Sequence, residues 1–220
     1  MLNWSTDLDL DVDVQSSIVN IPIGKTKDNR TAYVDVDLHR RYNINVIGFD
    51  DSHKFIESAY EVTKQRYAGK DVIVSSVFYD KDIFAFTKGL EDIGRVNMSI
   101  YSRIKDGCMR DIDHYNEVSQ NPIPYHLFFI SGFKRMLNEV PDYIKYQLLQ
   151  IIADIISYCC ITGVHIVIDY GYPDFDYQNI EFYTNILRLD KSSKAMVFDL
   201  SGLIEYAMVE FPTKPHPNIA

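Results

Sequence analysis

"INVIGFDDSHKF" (residues 44–55) joins an apolar run to a helical pattern through a glycine and, six residues later, a lysine. A phosphate-binding loop follows G-x-x-x-x-G-K-[ST] between a strand and a helix. Gly48 and Lys54 keep that spacing, but His53 stands at the second glycine, Phe55 at the hydroxyl position, and Asp50 and Asp51 inside the loop. Each departure removes something chemical. A Cβ at His53 restricts the backbone freedom that lets successive N–H groups wrap a phosphate. An aspartate about 4 Å from a phosphate costs on the order of 1–4 kcal/mol at surface-to-intermediate dielectric. Two such costs outweigh the one attraction of Lys54, and Phe55 offers Mg²⁺ no ligand. The stretch predicts the strand–loop–helix topology of a nucleotide site without its chemistry. Gly48 and Lys54 read as a turn kept for packing in preference to a working site.

Working outward, "SHKFIESAYEVTKQRYAG" carries apolar residues near helical spacing and closes at Gly69. "DVIVSSVF" is a β-branched strand, "DKDIFAFTKGLEDIG" a helix ending at its glycine, and "RVNMSIYS" a further strand. "RDIDHYNEVSQ" reads as a short polar helix stopped by "NPIP". "YHLFFIS" and "VHIVI" are continuous apolar runs, as strands covered on both faces require. Between them, residues 141–161 place apolar side chains at 144, 148, 151, 152, 155, 156 and 159, one face of a long helix opened by Pro141.

Upstream, "SIVNIPIG" and "TAYVDVDL" form a hairpin across a polar turn, and "DLDLDVDV" (residues 7–14) alternates as a half-buried strand. Its D-x-D-x-D start is no calcium loop, because Val12 replaces the required glycine and Ile18 the closing glutamate. "TNILRLD", "KAMVFDL" and "IEYAMVEF" add short strands. Strands alternating with helices predict an α/β protein whose mostly parallel central sheet is flanked by helices. Ligands of such sheets bind beyond the strands' carboxyl ends, where Gly48 falls.

The 220 residues, 46% hydrophobic, suffice for one domain, expected to span 1–220. No apolar run approaches the roughly 20 residues that span a bilayer, and the acidic N-terminus is no secretory signal. A net charge of −9, from 31 acidic and 22 basic residues, opposes nucleic-acid binding. Cys108, Cys159 and Cys160 have neither disulfide-framework nor zinc spacing and read as buried apolar residues. His39, His53, His114, His126 and His216 show no metal spacing either, and His165 reads as a core histidine. Asp111, Asp113 and Glu117 suit the exposed face of a short helix better than a catalytic carboxylate pair. The 16 Tyr and 12 Phe are concentrated in places. Tyr143 and Tyr146 open the long helix, and Tyr170, Tyr172 and Phe175 cluster in "DYGYPDFDYQN". Both groups are candidate partner-binding surfaces, since tyrosine gives large contact area at modest entropy cost.

Several segments, in order, resemble the FtsK/SpoIIIE-type motor ATPases. "IPIGKTKDNRTAYVDVDLHRRYNINVIG" is similar to that family's entry into its P-loop strand. "MRDIDHYNE" resembles its R-[ND]-I-x-x-Y-N segment, "PYHLFFISGFKRML" its Walker B run, and "GVHIVIDYGYP" its sensor segment. The closing "DLSGLIEYAMVEF" resembles the last strands of ATPase modules in type VII secretion coupling proteins of the EssC/EccC type. The resemblance implies a RecA-like P-loop NTPase fold preceded by an N-terminal β-hairpin. It also implies what is missing. Ser131 and Gly132 stand where the Walker B aspartate and catalytic glutamate belong, and Asp169, Tyr170, Gly171 and Tyr172 replace the sensor's A-T-Q-R. The implied protein is a non-catalytic domain with no cofactor, metal-free binding of ATP or ADP being left open. It would be the cytoplasmic, C-terminal part of a membrane-anchored coupling protein, itself not inserted in the bilayer. Its implied partners are secreted helical-hairpin substrates and neighbouring ATPase modules, with no nucleic acid. A slowly hydrolysing ATPase and a DNA-translocase module are the alternatives.

Overall fold

The computed structural model describes residues 20–26, 31–35, 43–47, 52–169, 184–189, 195–200 and 203–210. The expected strand "DLDLDVDV", the aromatic loop with Tyr170, Tyr172 and Phe175, and the residues Gly48, Asp50 and Asp51 lie outside them.

A hairpin of β1 (Asn20–Thr26) and β2 (Thr31–Asp35) leads to β3 (Asn43–Ile47) and α1 (Ser52–Arg66). Then come β4 (Val72–Phe78), α2 (Ile83–Asp106), α3 (Ile112–Val118), β5 (Tyr125–Ser131), α4 (Phe133–Glu139), α5 (Asp142–Thr162) and β6 (Val164–Ile168). Three strands follow, β7 (Thr184–Leu189), β8 (Ala195–Leu200) and β9 (Leu203–Glu210). The nine strands among the described residues form one sheet in the order β2-β1-β9-β8-β7-β3-β6-β5-β4. Its parallel part, β7-β3-β6-β5-β4, is the predicted core. The antiparallel strands β8, β9 and the hairpin extend it on one side.

The central strands β5 and β6 earn their places by composition. Leu127, Phe128, Phe129 and Ile130, then Val164, Ile166, Val167 and Ile168, are all buried, because helices cover both faces. On one face Tyr60 of α1 meets Phe78 and Phe129 edge-on, at ring-centroid distances of 5.5 and 5.8 Å. The other face carries α2 and α5, joined by a buried polar link. There Asn97 Nδ2 donates to the carbonyl of Ile155 (2.8 Å), and the Thr162 hydroxyl donates to Asn97 Oδ1 (2.5 Å).

The structure departs from several sequence expectations. "RVNMSIYS" is not a strand but the continuation of α2, which runs through Gly94 to Asp106. Ile93, Asn97, Ile100 and Ile104 make one buried face there, and packing on the sheet and α5 overrides the β-branched propensity. The turn of helix α4 was not anticipated. The segment 142–162 is, by length and composition, apolar enough to cross a membrane. Its face of Leu148, Leu149, Ile152, Ile155, Ile156 and Cys159 is buried, as in the core helix of a globular domain. Of the cysteines, Cys159 is buried as expected, with its thiol pushed above the usual range by burial, whereas Cys108 is exposed.

Candidate functional site

The carboxyl ends of β3, β5 and β6 are neighbours in the sheet, and α1 begins above them. His53, Lys54 and Phe55 form the first turn of α1. Lys54 is exposed, His53 half-buried, and Phe55 only 5% exposed. The side chain at the hydroxyl position is therefore built into the protein's interior instead of reaching a ligand.

Ser131, the last residue of β5, is 2% exposed. Its hydroxyl lies 3.3 Å from the His53 carbonyl and 3.4 Å from Glu57 Oε1, so it ties β5 to α1. Gly132 follows with φ +80°, and a Cβ there would stand 2.9 Å from Tyr79 Cβ. This backbone favours glycine strongly, and a glutamate could not occupy it without strain.

Asp169, just past β6, fills the space beside this turn. Its Oδ2 accepts from the Gly132 N–H at 2.9 Å and its Oδ1 from the Phe133 N–H at 2.8 Å, while its carbonyl accepts from Lys134 N–H at 3.1 Å. Three orphan donors at the start of α4 are thereby satisfied from a different strand. Burial pushes the Asp169 carboxyl up to about 6, against the pull of those two N–H groups and of His53. The carboxylate is thus committed to a backbone turn. Behind it, Arg135 donates to the Tyr79 carbonyl and Tyr79 Oη donates to Glu139 at 2.7 Å, pinning α4 to the end of β4.

The structure therefore brings His53, Phe55, Ser131 and Gly132 together at one end of the sheet. It adds Glu57 and the carboxylate role of Asp169, which sequence reading missed. Neither was visible in a motif, because each depends on which strand ends are neighbours. Tyr143 and Tyr146 lie apart from this group, on the first turns of α5, at 67% and 66% exposure. His165 is buried on β6, as expected of a core histidine. Asp113 and Glu117 are exposed on α3, and Asp111 caps that helix by accepting from the His114 N–H (2.9 Å). Among the described residues no three His, Cys, Asp or Glu side chains are grouped to hold a metal ion.

No protein-family model matches the sequence, and no curated protein matches it. Solved structures do share its fold. The pCW3 conjugation coupling protein TcpA, in a monomer form with ATPγS, superposes with a TM-score of 0.63 at 11% identity, over 88% of this chain and 66% of that one. EssC ATPases 2 and 3 from Geobacillus thermodenitrificans give 0.62 at 10% identity, over 91% and 46%. Thermomonospora curvata EccC ATPases 2 and 3, in complex with a signal sequence peptide, give 0.59 at 7% identity, over 88% and 42%. The chain has the fold of these P-loop ATPase domains and spans less than half the length of the EssC and EccC chains it matches, and about two thirds of TcpA.

Proposed function

We propose that the chain is a non-catalytic FtsK-like module of a type VII secretion coupling machine, on the cytoplasmic side of a cell membrane. There it docks secreted helical-hairpin substrates or neighbouring ATPase modules. The observation that carries this reading is the end of β5. Phosphoryl transfer needs a metal and a group that positions the attacking water. At that strand end the chain has a hydroxyl bonded toward α1 and a glycine, and the nearby Asp169 carboxylate is held by two backbone N–H groups. Phe55, buried at the metal-ligand position of the loop, points the same way. The exposed rings of Tyr143 and Tyr146 supply a surface of the kind that docks partners.

One observation favours a second reading, slow hydrolysis with substitute residues. Glu57 lies 3.4 Å from Ser131 Oγ and brings a carboxylate to the end of β5 from α1. Phosphate release from ATP with Mg²⁺ separates the two. The first reading expects no turnover above a protein-free control. Turnover abolished by both Lys54→Ala and Glu57→Gln would establish the second. Docking is tested by affinity capture of secreted helical-hairpin proteins from the native host. Capture is expected to weaken in Tyr143→Ala/Tyr146→Ala, and equal capture by that variant would remove those rings from the account.

A further inference from the structure

Among the described residues β4 ends the sheet, and its sequence does little to guard the outer edge. The sequence "VIVSSVF" contains no charge, proline or glycine, and its ladder to β5 is regular over all seven residues. Edge strands are normally blunted by such residues, by bulges or by cover. At the opposite end of the sheet, β1 and β2 do show a register shift between Pro22 and Gly24. Among the described residues no strand pairs with the outer side of β4.

The backbone groups on that side can be named. Tyr125 N–H donates to the Asp71 carbonyl at 3.1 Å, and Tyr79 N–H to the Ser131 carbonyl at 2.9 Å. In a parallel ladder the inward-bonding residues alternate, so the odd-numbered residues of β4 face β5. Val72, Val74, Ser76 and Phe78 therefore turn their N–H and C=O groups outward.

We propose that this edge pairs with the β4 edge of a second copy of the chain, antiparallel and two-fold symmetric about Ser75. The sequence is self-complementary in that register. Val72 faces Phe78, Ile73 faces Val77, Val74 faces Ser76, and Ser75 faces its own counterpart, so apolar residues meet apolar residues or serine. Every outward-turned residue then opposes another outward-turned residue, the condition for a hydrogen-bonded antiparallel pair. The faces also agree. Val77 lies against Gly89 of α2 and Phe78 against Tyr60 of α1, so odd residues meet odd on the α2 side and even meet even on the α1 side. Just beyond the strand, the exposed Lys70 comes opposite the exposed Asp80 of the second copy, and the symmetry makes this match twice. A shift by two residues in either direction leaves one end of the strand unpaired and loses the Lys70–Asp80 match. The pairing rests on β4 and its flanks alone and does not depend on the reading of the nucleotide site.

The test is light scattering on the full chain at high micromolar concentration, together with a register-specific cross-link. Ser75 sits on the symmetry axis at a non-hydrogen-bonded pair, where the two Cα atoms approach to about 4.5 Å. Ser75→Cys, in a Cys108→Ser background, is expected to form an intermolecular disulfide with oxidised glutathione, and Val74→Cys is not. Ser76→Pro removes an outward donor without touching the β5 ladder. Ser75→Lys sets two like charges opposite each other and is expected to weaken the dimer about tenfold. Lys70→Asp weakens it and Lys70→Asp/Asp80→Lys restores it. Ser75→Lys decides the matter if Ser76→Pro loses its native circular dichroism. A monomer without the Ser75 cross-link overturns the proposal, as does a dimer indifferent to Ser75→Lys.

Discussion

Asp169 stores its effect in a titration. Its carboxyl rises from an ordinary value of 3.8 to about 6, first because it is buried. A raised folded value means the folded state holds the proton more tightly than the unfolded chain. The associated stability is complete below about pH 4 and is lost as pH rises to about 6, a change on the order of 3 kcal/mol. Chemical denaturation of wild type and Asp169→Asn across pH 4–7 checks this. The difference between the two curves is expected to slope through that window and flatten above it. Phe55 makes a complementary prediction. Restoring the hydroxyl of the phosphate-loop pattern with Phe55→Thr removes a ring that is 5% exposed and is expected to cost about 3 kcal/mol. It is expected to confer no Mg²⁺-dependent turnover, because Ser131 and Gly132 still supply no acid. Denaturant midpoints and phosphate release measure the two halves.

At the scale of elements, α5 hands over to β6 through Gly163, whose φ is +65°. A Cβ there would stand 2.7 Å from Tyr125 Cδ1 and 2.9 Å from Ile112 Cδ1. The left-handed backbone alone costs an L-residue about 1–2 kcal/mol, so Gly163→Ala is expected to lose at least that much, read as a fall in the urea midpoint. This helix end was legible to within a residue, since an apolar face of period 3.6 ended near residue 161 and a continuous apolar run began at Val164. The buried strands β5 and β6 were legible for the same reason. The second half of α2 was not, because Val96, Ile100 and Tyr101 favour strands in isolation, and only burial on the sheet and α5 makes the helical face win. Nor was the Asp169 clamp legible. It joins residues 37 apart in sequence, Gly132 and Asp169, through the adjacency of β5 and β6, which no local pattern encodes.

For the whole molecule, the sequence carried the class of fold further than the arrangement. Alternating strands and helices implied the parallel core, and the order of motifs implied a P-loop ATPase architecture, which the structural neighbours share. The antiparallel strands that carry the hairpin onto the end of that core were outside its reach, because pairing order is a tertiary property. The functional claim is that this architecture persists without its nucleotide chemistry. Calorimetric titration of the intact chain with ATP, with and without Mg²⁺ and beside Lys54→Ala, tests it most directly. The account predicts no saturable heat in either condition and no difference between the two proteins. Saturable binding at micromolar ATP that Lys54→Ala abolishes would contradict it and restore the loop around Gly48 as a nucleotide site.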